Sequence, residues 1–243
     1  MLIYKECVKT LFFIGVVGGT TYYVIGKIQY RNNLMDMEVY SPKSTLIVSE
    51  NKVTKAKFPF IDVHNHQFDM PIKNLPKLVS EMDSLNMAFM INLSGFRGLY
   101  LRKSLENIKK NAPTRFGLFL NIDFEDIDNK FFSETQVALI DSAVKAGVMG
   151  LKVYKSLGLT SKDNKGARIA INDIRLDPIW KACGDNNIPV LIHSGEPASF
   201  WNPKDKFNER WLELRQKPNR YRDPEINPSF EEVIAEQHDV FRK

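Results

Sequence analysis

FPFIDVH, residues 58–64, is an apolar run that closes on a histidine, and four runs of the same kind follow it. They are MAFMINLS (87–94), RFGLFLNI (115–122), GLKVYK (150–155) and IPVLIHS (188–194). Mostly apolar runs of this length suit strands buried on both faces of a parallel sheet. Segments of helical period lie between them, near 73–86, 99–111, 133–147 and 173–187, with another at 228–243. The starts of the first and fifth runs are 130 residues apart, about 32 per unit, which is the length of a βαβ repeat. No short internal repeat or low-complexity tract interrupts the alternation.

Two parallel architectures share this pattern. A doubly wound sheet would place a glycine-rich phosphate loop after an early strand, and none follows Val63. Polar residues instead sit at the strand C-termini: His64 and His66, Asn92, Asn121 and Asp123, Lys152, and His193. That is where a (β/α) barrel builds its sites, so the expected fold is α/β, a TIM-type barrel. A full barrel takes about 250 residues. Residues 58–243 supply about five βα units, so the reading is the N-terminal part of a barrel, with further units expected beyond Lys243.

Working toward the N-terminus, residues 29–57 are polar and irregular and read as a linker. Residues 11–26, LFFIGVVGGTTYYVIG, carry no charge and are flanked by Lys5, Lys9, Lys27 and Arg31. A charged start before an apolar run is an export signal or membrane anchor, so residues 1–28 are expected to take the protein to the cell envelope, anchored in the membrane or exported. The same region explains the charge. Residues 1–57 hold eight Lys/Arg against four Asp/Glu, so they carry +4 of the net +5. The remaining body is nearly balanced and lacks the basic stripe that nucleic-acid binding needs. With 43% hydrophobic residues the chain is globular rather than disordered. Its two cysteines, Cys7 and Cys183, make no framework, and Cys183 in an apolar helical stretch reads as a buried thiol.

The candidate chemistry lies at the strand ends. In a strand, residues i and i+2 point the same way, which puts Asp62, His64 and His66 on one face. Two imidazoles about 7 Å apart along a strand can converge on one divalent ion; the alternative is two surface histidines in a turn. His193 is either a satisfied core histidine or a third ligand. Lys152 alternates with Leu151 and Val153 and points into the barrel, where a free ammonium is costly. It is either carboxylated by CO₂ to an anionic ligand or reaches the mouth to bind an anionic substrate. His238, in the final helix, reads as solvated.

DVHNHQF, GLKVYK and VLIHSGEP together resemble the amidohydrolase superfamily in order and spacing. GLKVYKSLGL and the HSGEPASFW–NERW stretch resemble its amidohydrolase-related branch. The resemblance spans residues 58–243 and implies a metal-dependent hydrolase of C–N or C–O bonds (amide, ester or lactone) in which metal-activated water attacks. Zn²⁺ is the expected metal, one or two ions, with Mn²⁺ or Fe²⁺ as alternatives. It implies that His64 and His66 bind the first metal, that His193 ligates from strand five, and that Lys152 matches the bridging lysine of binuclear members. Other members are non-oxidative decarboxylases, which makes a lyase the sister reading. The resemblance also calls for a histidine after strand six and an acid–base aspartate after strand eight. Neither falls within these five units, so this chain alone is expected to be inactive. A membrane-tethered fragment without catalysis is the reading from a different class.

Residues 195–227 form a connection far longer than usual, of the kind that shapes a substrate pocket at a barrel mouth. Glu196, Trp201, Asn208 and Arg210 are the substrate-binding candidates there, and the arginines of this loop, Arg220 and Arg222 included, suit a substrate carboxylate. The alternative is a surface insertion whose tryptophans pack on the barrel. The expected partners are a small, carboxylate-bearing substrate and a membrane; a homo-oligomer is left open.

Overall fold

The computed structural model describes residues 41–43, 45–49 and 51–243. The segment expected to anchor or export the protein, 1–28, lies outside the described residues, as do Cys7 and linker residues 29–40, 44 and 50. Contacts divide the chain into two units, Met1–Glu50 and Asn51–Lys243. In the first, the described residues are exposed and carry no regular secondary structure. Among the described residues no helix is long and apolar enough to cross a membrane.

The second unit alternates strand and helix as expected. The strands are β1 (Phe60–Asn65), β2 (Met87–Asn92), β3 (Phe116–Leu120), β4 (Gly150–Val153) and β5 (Val190–Ile192). Each main crossover is a helix: α1 (Leu75–Leu85), α2 (Gly98–Asn111), α3 (Phe132–Ala146) and α4 (Asp177–Asp185). The helices α5 (Trp211–Gln216) and α6 (Phe230–Arg242) follow β5. The strands pair in chain order, β1-β2-β3-β4-β5, and every pair is parallel. The sheet curls into a half-barrel, the part of a β/α barrel that five units can build.

Local chemistry accounts for the boundaries. Asn74 caps α1 by accepting the Lys77 N–H, and Asn86 ends it in the left-handed region at φ 66°. Gly147 ends α3 in the same way at φ 111°. Ser229 and Glu232 form a reciprocal capping box that starts α6. The segment expected as one helix over 173–187 is divided. Asp173 caps a short 3₁₀ turn (Ile174–Leu176), and the α-helix starts at Asp177 with Pro178 in its first turn. The long connection 195–227 also holds more structure than expected, with 3₁₀ turns at Ala198–Phe200 and Pro218–Arg220 on either side of α5.

Burial grades across the sheet. Every residue of β3 is buried, and β4 is buried throughout, so the core is centred on Leu118, Leu120, Leu151 and Val153. At the β1 edge, Ile61 and Val63 are 58% and 57% exposed. Cys183 is buried, as expected, and burial pushes its thiol up to about 12.

Candidate functional site

The C-terminal ends of the strands are held in place by two buried asparagines. Asn92, at the end of β2, accepts the N–H groups of Gln67 and Ser94 at 2.9 Å each and donates to the Gln67 carbonyl. Asn121, just past β3, accepts the Phe96 N–H at 2.8 Å and donates to the carbonyls of Leu93 and Lys152. Each side chain satisfies backbone groups that the sheet leaves unpaired where its ladder stops. Asp62 is used in the same manner, accepting from the His64 N–H and the Asn65 amide. These polar residues fix the shape of the mouth.

The histidines stand on that frame. The His64 and His66 rings lie edge to face with centroids 5.4 Å apart. His66 is half-buried between Phe68, stacked at 5.7 Å, and Tyr154, at 6.1 Å. Its Nδ1 is bonded to Ser94 Oγ at 2.8 Å, which leaves Nε2 as its remaining nitrogen. Burial lowers the His66 pKa, and the charges of His64 and Lys152 lower it further. His193 is set by β5: its N–H donates to the Val153 carbonyl at 3.0 Å. Its pKa is also lowered, first by partial burial, then by Lys152 and Lys155, with His64 adding to the effect and Glu196 opposing it. His66 and His193 therefore both feel Lys152 and His64, and both favour the neutral, lone-pair form at pH 7.

Lys152 acts electrostatically on both His66 and His193. It is 1% exposed, and its Nζ has no hydrogen-bond partner. The Tyr154 ring centroid lies 5.8 Å from Nζ. Burial lowers its pKa. A buried polar group without a partner calls for an explanation, and an amine in this state is neutralised or modified more readily than a solvated one.

The donor set fits a divalent cation in its chemistry: imidazole nitrogens that favour the neutral form, one of them with its second nitrogen already bonded, and an orphaned amine that acts on both His66 and His193. The geometry stops short of a closed cage. Among the described residues no three His, Cys, Asp or Glu side chains are drawn together closely enough to hold an ion by themselves. Lys152 acts on both His66 and His193, and as an ammonium it would repel a cation.

The four expected substrate residues fall in two groups. Glu196 acts electrostatically on His193, and its Oε1 lies 2.7 Å from Lys155 Nζ and 3.2 Å from Arg222 Nη2. Glu196 and Arg222 are both buried there. The other three have their polar atoms engaged within the loop region. The Asn208 amide donates to the carbonyls of Ser199, Asn202 and Pro203. Trp201 donates to Pro228 O at 2.8 Å and packs on Phe230. Arg210 pairs with Glu209 and Glu213 at the surface. His238 is exposed on α6, as expected. Ser94 and Tyr154 were not singled out from the sequence. Tyr154 is two residues past Lys152, but only the register between strands carries its hydroxyl to Ser94. A cleft of about 440 Å³ opens beside Tyr154, lined by Ile122, Asp123, Ser156, Thr160 and Lys162 among others, a volume in the range of small-molecule sites.

By its fold the chain belongs to the parallel β/α class with half-barrel curvature. Comparison with known proteins returns no matching family model, no matching curated protein and no matching solved structure.

Proposed function

We propose that this chain carries the first part of a metal-dependent hydrolase site, with His64, His66 and His193 as imidazole ligands and Lys152, in carboxylated form, as the anionic ligand. The observation that carries the reading is the buried, unpartnered Lys152 amine, whose charge acts on both His66 and His193. As a neutral amine it can attack CO₂. The new N–C bond gives a carbamate, the proton leaves to solvent, and the repelling ammonium becomes an oxygen donor of negative charge. That change supplies what the three imidazoles lack, a carboxylate-type oxygen donor.

A divalent ion held there would supply a Lewis acid for a substrate carbonyl and a lowered pKa for water. The chain's own residues do the rest. Asn92 and Asn121 hold the mouth in shape, Ser94 orients the His66 ring, and Glu196 keeps Lys155 beside His193. Lys155 remains partly exposed and offers a positive charge to an anionic substrate group. The motif resemblance agrees with this assignment and assigns the proton-transferring aspartate to a strand beyond these five.

The test is metal content. The purified chain, incubated with Zn²⁺ in bicarbonate and desalted, should retain one to two equivalents. His66→Ala and His193→Ala should each lower retention by about 10-fold or more, and Lys152→Met should abolish the bicarbonate dependence. Equal metal content in the wild type and all three variants would overturn the assignment.

A further inference from the structure

We infer that Ser94 and Tyr154 are positioning residues that hold His66 as its Nδ1–H tautomer and leave the lone pair on Nε2. The argument is a count of protons along a chain of three contacts. His66 Nδ1 lies 2.8 Å from Ser94 Oγ, Ser94 Oγ lies 3.1 Å from the Tyr154 hydroxyl, and the Tyr154 hydroxyl lies 3.3 Å from the Leu93 carbonyl. The last acceptor sets the direction, because a carbonyl has no proton to give. Tyr154 has one proton, and the Leu93 contact takes it. The Tyr154 oxygen must then accept from Ser94. Ser94 has spent its own proton and can only accept from His66, so the proton is on Nδ1. Any other arrangement leaves at least one of the three contacts as two oxygens, or an oxygen and a nitrogen, facing each other with no proton between them.

The chain is built to stay in that state. Ser94 is fully buried, and its N–H is held by Asn92, so its hydroxyl meets no water to turn toward. Leu93 O also accepts from Asn121, which fixes its position. The Tyr154 ring stacks on His66 while its hydroxyl anchors the chain, so one side chain fixes both the plane and the protonation of the imidazole. Neutral histidine in water prefers the Nε2–H form, so the protein is reversing the solution preference. The tautomer follows from these bonds alone; only the use of the lone pair for a metal rests on the proposed function.

The experiment is two-bond ¹H–¹⁵N correlation on the metal-free, ¹⁵N-labelled chain at pH 7.5, with His66 assigned by loss of its signals in His66→Ala. In the wild type, Nδ1 should show the protonated shift and Nε2 the lone-pair shift. Ser94→Ala and Tyr154→Phe should each move the ratio severalfold toward Nε2–H, and His64 should keep its pattern in both. Co²⁺ affinity should fall by about 10–100-fold in Ser94→Ala, the size seen when an outer partner of a metal-binding histidine is removed. A wild-type His66 in the Nε2–H form overturns the inference, and that reading needs no variant to fold. So does an unchanged ratio in both folded variants. A tautomer that shifts as expected in a chain that never binds Co²⁺ upholds the inference and overturns the metal reading instead.

Discussion

Lys152 is the residue at which composition, burial and chemistry conflict most sharply. Its Nζ is out of solvent and lacks a partner, so the folded chain disfavours the charged amine and its pKa falls below 10.5. The unfolded chain holds its proton up to the ordinary value and the folded chain releases it lower. Between those two points the unfolded state binds more protons, so stability rises with pH there, and the full penalty applies below the folded pKa. In metal-free, CO₂-free buffer, urea unfolding should therefore give greater stability toward pH 10 than at pH 7. Lys152→Met, which removes the buried amine at similar volume, should lose that slope. It should also be more stable than the wild type at pH 7 by about 1–3 kcal/mol. A wild-type profile parallel to that of Lys152→Met would show that Nζ is not buried as a free amine. Lys152 could be picked out in the sequence by its place between Leu151 and Val153. Its isolation could not, because that depends on what the opposite strands fail to provide.

The elements meet at closer range than their periodicity reveals. Gly95, in the turn after β2, donates its N–H to the Phe119 carbonyl at 3.0 Å, and a Cβ there would lie 2.2 Å from that same oxygen. The oxygen belongs to the backbone of a fully buried strand and has no room to retreat. Gly95→Ala should cost about 3 kcal/mol in urea unfolding. Gly184 is the contrast, since a Cβ on this α4 residue would meet nothing within 4 Å. Gly184→Ala should stabilise by about 0.5–1 kcal/mol through the gain in helix propensity. Equal effects of the two substitutions would contradict the close approach of the β2 turn to β3. The five strands and the main helices were legible in the sequence because strand and helix periods, caps and turns are properties of neighbours along the chain. The 3₁₀ start ahead of α4 and the short helices within 195–227 were not, since each depends on single capping residues and on packing rather than on a repeating pattern.

At the scale of the half-barrel, β1 is the terminal strand of the sheet among the described residues. Ile61 and Val63 share one face of β1, and Phe60, 37% exposed, lies on the other, so both faces of this edge are uncovered while β3 is buried throughout. An edge strand with free backbone groups and exposed β-branched side chains templates association. The chain should show concentration-dependent light scattering, and Ile61→Lys with Val63→Lys should lower it severalfold without changing its far-UV circular dichroism. Scattering that is independent of concentration, or unaffected by both lysines, would show that β1 is not the sticky edge.

The arrangement of strands and helices and the placement of His64, His66 and His193 at strand ends can be read from the residues alone. Each is encoded by apolar period and by the polar residue that ends a run. What the folded chain added lies between distant segments. Ser94 reaches His66 across 28 positions and Tyr154 across 60, and Lys152 is left unpartnered by everything packed around it. Such relations depend on the register of parallel strands in three dimensions, which no local pattern specifies, and they determine which nitrogen of His66 is bonded to Ser94 and which amine is left without a partner.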